Sequence, residues 1–306
     1  MALLPSWHKI WTYGDRWTKG ILDGEIEITE KIDGSQFNFG KIDGVTLMRS
    51  KGADVFFDDN NKMFNKAKEF VKSIEERLPD NVVFHGEYLQ SPRHNTLAYS
   101  RVPRGNFILF GVTRIGVDDA VSSAPDLDYW SKELECEAVP VLGFGHLQEG
   151  LDKINLEYLH NLIPAVSVLG GCAAEGIVIK NYNKSVMVGD RAIPILQAKI
   201  VSADFKEKHG VSWSKDNPTD KAKIGEAFKT EARWDKAIQY LRDNNKLTET
   251  VKDIGPLIKR IQEDIVEEDK ENIKEELWKM FNKDVLRVTI QGFPEYYKGK
   301  LVENIS

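Results

Sequence analysis

Residues 24–50 read Gly-Glu-Ile-Glu-Ile-Thr-Glu-Lys-Ile-Asp-Gly-Ser-Gln-Phe-Asn-Phe-Gly-Lys-Ile-Asp-Gly-Val-Thr-Leu-Met-Arg-Ser. Ile26 and Ile28, then Phe37 and Phe39, then Val45 and Leu47 alternate with other residues, the period of strands with one buried face. Asp43-Gly44 separates the last two runs, and Asp-Gly is a common turn between antiparallel strands. The stretch therefore predicts a hairpin in an antiparallel sheet. It also holds one tetrapeptide twice, Lys-Ile-Asp-Gly at 31–34 and at 41–44. The second copy sits between two strands and needs no role beyond the turn. The first has Glu30 before it and Ser35 behind it, and runs into Gln36-Phe37-Asn38-Phe39. A strand leading into a tight turn can hold a lysine rigidly inside a cleft, so Lys31, not Lys41, reads as the nucleophile.

Working outward, Phe64, Ala67, Phe70, Val71, Ile74 and Leu78 lie at helical spacing, with Asp58 or Asp59 as the cap and Pro79-Asp80-Asn81 as the stop. Strands are expected at 82–88, 107–112, 176–180 and 193–200, with a short helix over 155–168. Beyond about His209 glycine thins out and apolar residues repeat at helical spacing: Trp234, Ile238 and Leu241, then Leu257, Ile261 and Ile265, then Ile273, Leu277 and Phe281. Asn217-Pro218-Thr219-Asp220 reads as a helix start. The acid-rich stretch 263–276 reads as a solvated helix face. The expected fold is α+β, an antiparallel-sheet domain over 1–208 followed by a small all-helical C-terminal domain over 209–306.

The chain has 306 residues, 41% of them hydrophobic, enough for a full core. Its net charge of −6 argues mildly against a nucleic-acid partner, although a basic cleft can sit inside an acidic shell. Two cysteines, Cys136 and Cys172, make no disulfide framework, so a reducing cytosol is expected, or the host cytoplasm for a viral protein. No apolar run reaches ~18 residues, and neither a leader nor a membrane span is expected. Phosphate-loop, Cys₄-zinc and Gly-x-Ser-x-Gly patterns are all missing.

Downstream of Lys31 the chemically able residues come in a fixed order. Arg49 follows the first hairpin. Gly86-Glu87 ends a strand, Phe107-Ile108-Leu109-Phe110 is an aromatic strand, Glu175 and Lys180 share a strand, and Lys199 closes the series after Gln197-Ala198. Each alone has an ordinary reading: strand-edge charges are usually solvated and a Phe is usually core. Their joint occurrence in this order has no such reading. The loop with Ser91, Arg93, His94, Asn95, Arg101 and Arg104 is either a phosphate-backbone contact or a solvated surface loop.

The ordered set resembles that of covalent nucleotidyltransferases, the superfamily of DNA ligases, RNA ligases and mRNA capping enzymes. Within it the chain is most similar to ATP-dependent RNA ligases of the RNA ligase 2 type, over residues ~20–205 by motif order. The resemblance implies an ATP-grasp-like nucleotidyltransferase (ligase) domain. It implies that Lys31, Lys180 and Lys199 are catalytic, and that Glu30, Ile32, Arg49, Glu87, Phe107, Lys180 and Lys199 bind the nucleotide. In particular, Glu30 reads adenine, Glu87 contacts ribose and Phe107 stacks on the base. It implies Glu175 as the metal ligand, ATP and Mg²⁺ (or Mn²⁺) as cofactors, and RNA with 5′-phosphate and 3′-OH ends as the partner of a monomer. Two positions depart from the pattern: Gln197 stands where a first lysine of Lys-x-Lys is usual, with Lys206 as the alternative charge, and Phe110-Gly111 stands where Phe-Asp is usual. A DNA ligase, a capping-type transferase and a non-catalytic nucleic-acid-binding relative are the alternative readings.

The implied chemistry explains the residue types. A free lysine has a pKa near ~10.4, and only the neutral amine attacks phosphorus. Cations around Lys31, namely Mg²⁺, Lys180 and Lys199, are expected to lower that pKa and to stabilise charge on the phosphate. Arginine could not serve, since guanidinium stays protonated. Asp33 either fixes the turn or reaches the metal.

Overall fold

A computed structural model describes residues 4–59, 62–116, 124–146, 156–188, 191–202, 225, 226 and 228–303. Strand β1 (Trp11–Thr12) precedes the alternating stretch, which folds as β2 (Glu25–Lys31), β3 (Ser35–Ile42) and β4 (Val45–Ser50). Then come β5 (Asp54–Val55), α1 (Asn65–Ile74), β6 (Val82–Tyr88), β7 (Phe107–Arg114), α2 (Ala124–Glu133), β8 (Glu137–Ala138), β9 (Val141–His146) and α3 (Leu156–Asn161). Strands β10 (Gly176–Asn181), β11 (Val186–Val188), β12 (Arg191–Ile193) and β13 (Leu196–Val201) complete the sheets. Three helices follow: α4 (Glu231–Asp243), α5 (Ile254–Thr289) and α6 (Phe293–Glu303).

The expected hairpin joins β3 to β4. Its turn places Asp43 and Gly44 at φ +50° and +77°, the left-handed pair that a two-residue hairpin demands. Beside the β11–β12 pair, two larger antiparallel-rich sheets result. One has five strands in the order β1-β13-β10-β2-β9, the other six in the order β5-β4-β3-β6-β7-β8. On the outer face of the six-stranded sheet, Phe37, Phe39, Phe84 and Phe107 pack against Phe64, Ala67 and Val71 of the α1 region. On the outer face of the five-stranded sheet, Ile26, Ile28, Ile177 and Ile179 pack around Leu159 of α3. Each fully buried aliphatic or aromatic side chain contributes roughly 1.5–3 kcal/mol, so these two faces fix the strand registers. Residues of the other parity face into the space between the sheets.

Several expectations are corrected. Neither Asp58 nor Asp59 caps α1; a 3₁₀ turn at Lys62–Phe64 leads in, and the Asp59 carboxylate accepts from Lys68 Nζ at 2.9 Å. The strand over 193–200 is broken by Pro194, which has no N–H to donate, into β12 and β13. The helix over 155–168 shrinks to α3, three residues short of Pro164. The acid-rich stretch of α5 is not simply solvated: Glu268 pairs with Lys9 at 3.1 Å, and Glu271 and Glu275 pair with Arg16. The 208/209 boundary, the helix start at 217–220 and Lys206 lie outside the described residues. Among the described residues no helix is long and apolar enough to cross a membrane.

Candidate active site

Lys31 ends β2 directly across from Gly176, the first residue of β10, so Glu175 arrives beside it. Lys31 Nζ donates to Glu175 Oε2 at 2.6 Å. On the next strand Lys199 pairs with Val178, which pairs in turn with Thr29, so Lys199 shares the inner face with Lys31. Its charge acts on both Lys31 and Glu175. The structure thus brings Lys31, Glu175, Lys199 and Glu87 together.

Their electrostatics correct one expectation. Burial pulls the Lys31 pKa down and Lys199 adds to that, but Glu175 and Glu87 outweigh both, and the net shift is upward. The lysine is crowded by carboxylates more than by cations. Burial pushes the Glu87 carboxyl up to about 8, with Lys31 opposing and Glu175 reinforcing. Glu175 is also raised, again chiefly by burial. At about 8, the Glu87 carboxyl holds its proton at neutral pH.

The turn after Lys31 is fixed from its own domain. Asp33 Oδ2 accepts the backbone N–H groups of Thr96 and Leu97 at 2.9 and 2.8 Å, and Asp33 N–H donates to the Tyr99 hydroxyl. Of the two roles open to Asp33, the structure shows the turn-fixing one. Asn95 Nδ2 donates to the Gly34 carbonyl at 2.9 Å, which ties the loop after β6 to the same turn. Arg101 is engaged by Glu137 at 2.7 Å. Glycine is needed at position 34, since a Cβ there would lie 2.9 Å from the Tyr88 carbonyl and 3.2 Å from Glu87 Oε2.

Other expected site residues sit elsewhere. Phe107 pairs with Tyr88 and points, fully buried, into the outer aromatic core, its ring 5.1 Å from Phe39. Ile108 shares the face of Glu87, and Phe110 lies opposite a bulge between His85 and Gly86. Of the two phenylalanines, the one on the inner face is therefore Phe110. Lys180 is 2% exposed and donates to Glu27 Oε1 at 3.1 Å and to the Phe110 carbonyl at 3.0 Å, four register pairs from Lys31. Burial outweighs Glu27 and lowers its pKa. Glu30 faces away from Lys31 by alternation, and its buried carboxylate accepts from the Ser167 hydroxyl and the Val168 N–H. Ile32 is buried with Leu89, Tyr99 and Ile108. Lys41 donates to the Glu75 carbonyl on the far side of the sheet, as the turn reading requires.

Arg49 Nη1 donates to the Leu4 carbonyl at 2.7 Å, while its buried Nε has no partner among the described residues. Glu87 Oε2 and Gln197 Nε2 are likewise buried and unpartnered. Buried polar atoms are almost always paired, so these three unmet groups on the inner walls fit a polar ligand between the sheets. Sequence reasoning missed Trp7, which lies between the sheets against Gln197, His85 and Phe110. It also missed Gln239 and Asp243 of α4, which touch the turn. No spacing rule signals any of them.

A family model described as RNA ligase matches residues 24–195. No curated protein matches the chain. Among solved structures, one similar chain is a Naegleria gruberi RNA ligase variant with ATP and Mn, at 16% identity and TM-score 0.47, covering 65% of this chain and 56% of that one. The same ligase with PPi aligns at 17% identity and TM-score 0.44, covering 65% and 56%. This chain spans little more than half the length of those ligases.

Proposed function

Since the chain belongs to the RNA ligase family, we propose that it is an ATP-dependent RNA ligase that seals 3′-OH to 5′-phosphate RNA ends, with Lys31 as the AMP-carrying nucleophile. The observation that carries this reading is the contact of Lys31 Nζ with Glu175 Oε2 at 2.6 Å, in a cleft whose walls present unmet groups at Arg49, Glu87 and Gln197.

In the first step the neutral Lys31 amine attacks the α-phosphorus of ATP. An N–P bond forms, the bond to the bridging oxygen breaks, pyrophosphate leaves, and the lysine proton is released. Glu175 is the nearest base. AMP then passes to the 5′-phosphate of RNA, and a 3′-hydroxyl displaces AMP to form the phosphodiester. Lys199 stabilises charge on the α-phosphate. Phe110 stacks on the base in place of Phe107, and Glu87 bonds the ribose hydroxyls. Among the described residues no three His, Cys, Asp or Glu side chains gather as a metal cage. Such a site fits Mg²⁺ or Mn²⁺ held by Glu175 together with substrate phosphates, the usual mode for Mg²⁺. Bound there, the ion supplies Lewis-acid polarisation of the phosphate. The helical segment is read as a second domain, and the protein as a cytoplasmic monomer.

The test is covalent labelling. Full-length protein is incubated with ATP or GTP carrying a labelled α-phosphate, with Mg²⁺ or Mn²⁺, and run on a denaturing gel. Label from ATP, absent in Lys31→Ala, is the expected result; label from GTP alone would point to a capping enzyme. Sealing of nicked duplex RNA, single-stranded RNA and nicked DNA then separates the substrate classes.

A further inference from the structure

The turn that presents Lys31 is gripped from outside the residues that the family model matches. Gln239 Nε2 of α4 donates to the Gly34 carbonyl. Ser35 Oγ donates to Asp243 Oδ1 of the same helix at 2.8 Å. His94 completes the chain. Its Nδ1 accepts the Gln90 backbone N–H at 3.1 Å, so in the neutral ring Nε2 carries the hydrogen and donates to Ser35 Oγ at 2.9 Å. Burial holds the His94 pKa down to about 4, which keeps the ring neutral. Ser35 therefore receives from His94 and, at 3.5 Å, from Gln239 Nε2, and gives its single proton to a buried carboxylate.

Helix α4 is braced from behind. Arg233, fully buried on its first turn, donates to Asp264 and to Asp269 of α5, the second at 2.6 Å, and Lys236 meets Asp264 at 2.9 Å. Helix α5 is anchored in turn to the first residues of the sheet domain, through Lys9–Glu268 and Arg16–Glu275. A helix held on one side by buried charges and on the other by the turn acts as a strut.

We propose that Gln239 and Asp243 are positioning residues for the nucleophile: through Gly34 and Ser35 they fix the turn, and with it the amine of Lys31, so that the C-terminal helices are part of the active site. The proposal rests on the ligase reading above. Its physical basis is orientation, because a displacement of about 1 Å of a reacting group can cost on the order of 10²-fold in rate. The buried carboxylate of Asp243, raised to about 7 by burial against the pull of Ser35, Arg242 and Lys51, is costly to keep there and suits such a grip.

The experiment compares wild type, Asp243→Ala, Asp243→Asn, Ser35→Ala and the Ser35→Ala/Asp243→Ala pair in full-length protein. At saturating ATP, Asp243→Ala should slow formation of the labelled enzyme by about tenfold or more, with the half-saturating ATP concentration little changed. Asp243→Asn keeps an oxygen that accepts from Ser35 and should recover most of the rate. The double variant should be no slower than the slower single one, since both cut one contact. Hydrogen exchange of the peptide spanning residues 31–39 should speed up in Asp243→Ala and return towards wild type in Asp243→Asn. Wild-type rates and exchange in both Asp243→Ala and Ser35→Ala, or additive losses in the double variant, would overturn the proposal. A wild-type chain that takes no label sinks the ligase reading instead, and the exchange data still decide the grip.

Discussion

Trp7 Nε1–H donates to Gln197 Oε1 at 3.2 Å, and the same indole lies where any side chain at position 111 would have to go: a Cβ on Gly111 would sit 2.5 Å from the ring. One tryptophan thus accounts for both departures from the family pattern, Gly111 in place of an aspartate and Gln197 in place of a lysine. Gln197 also lies directly across from buried Lys180 in the β10–β13 register. A lysine there would set two cations side by side.

Adding a side chain at position 111, or a lysine at 197, should therefore harm the protein. Gly111→Ala should cost about 1–3 kcal/mol by overpacking. Gln197→Lys should destabilise further, by leaving the Trp7 N–H without its acceptor and by opposing Lys180. Combining Gly111→Ala with Trp7→Ala should be far less than additive, because the second change vacates the space the first needs. Urea unfolding of the four proteins measures this; additive losses would dismiss Trp7 as the cause.

The repeated tetrapeptide gives a second prediction. Lys31→Ala and Lys31→Arg should both abolish covalent AMP labelling, the latter because guanidinium does not deprotonate. Lys41→Ala removes an amine bonded only to the Glu75 carbonyl among the contacts seen, and labelling should persist. Mapping the labelled peptide by mass spectrometry settles which turn carries AMP.

Phe107 and Phe110 should separate stability from nucleotide binding. Phe107→Ala should cost about 3–5 kcal/mol, the usual loss for a buried ring, with ATP affinity unchanged in whatever protein stays folded. Phe110→Ala should weaken ATP binding by roughly 1–3 kcal/mol, about ten- to a hundredfold. Calorimetric titration with ATP beside thermal unfolding tells the two apart, and the opposite pattern would return Phe107 to the base.

A pH prediction follows from Glu87. Its carboxyl titrates near 4.5 when unfolded and near 8 when folded. Between those values the folded state binds the extra proton, so stability falls as pH rises through this window and levels off above it. Glu175 and Asp243 shift in the same direction and steepen the fall. Buried His94 and His85, held down to about 4 and about 3, act the opposite way below pH 6.5, so the fall shows above that pH. Glu87→Gln should flatten the profile above pH 6.5 and be the more stable protein at pH 8.5, read as Tm from pH 6.5 to 9. A wild-type Tm that climbs with pH from 6.5 to 8 would contradict the assignment.

How much of this was legible in the sequence depends on whether alternation or tertiary contact decides the position. Strand β6 and the β3–β4 hairpin follow from period two and an Asp-Gly turn, and Lys31, Glu175 and Lys199 follow from motif order. Phe107 was misread because counting 20 residues from Glu87 ignores strand parity. Residues 107 and 110 face opposite sides, and only the outward one joins the aromatic core of Phe37, Phe39 and Phe84. Strand β9, with Gly143 and Gly145 inside it, carries too little side chain to register as a strand. Trp7, Gln239 and Asp243 act through contacts with residues distant in the chain, which no local pattern records. The acidic face of α5 read as solvated because its partners, Lys9 and Arg16, lie more than 250 positions away.

That distance has a consequence in time. Ser35 and Asp243 are 208 positions apart, and Gly34 and Gln239 are 205 apart. At synthesis rates of about 5–20 residues per second, Asp243 is made roughly ten to forty seconds after Ser35. For about the last two to eight seconds of that interval, after Val201 has closed β13, both sheets of a nascent chain can be in place with Lys31 exposed between them. Only the last helices bring the grip on its turn. The turn of Lys31 is thus steadied only once α4 has been made, and a chain interrupted before α4 carries Lys31, Glu87, Glu175 and Lys199 without the helix that holds that turn.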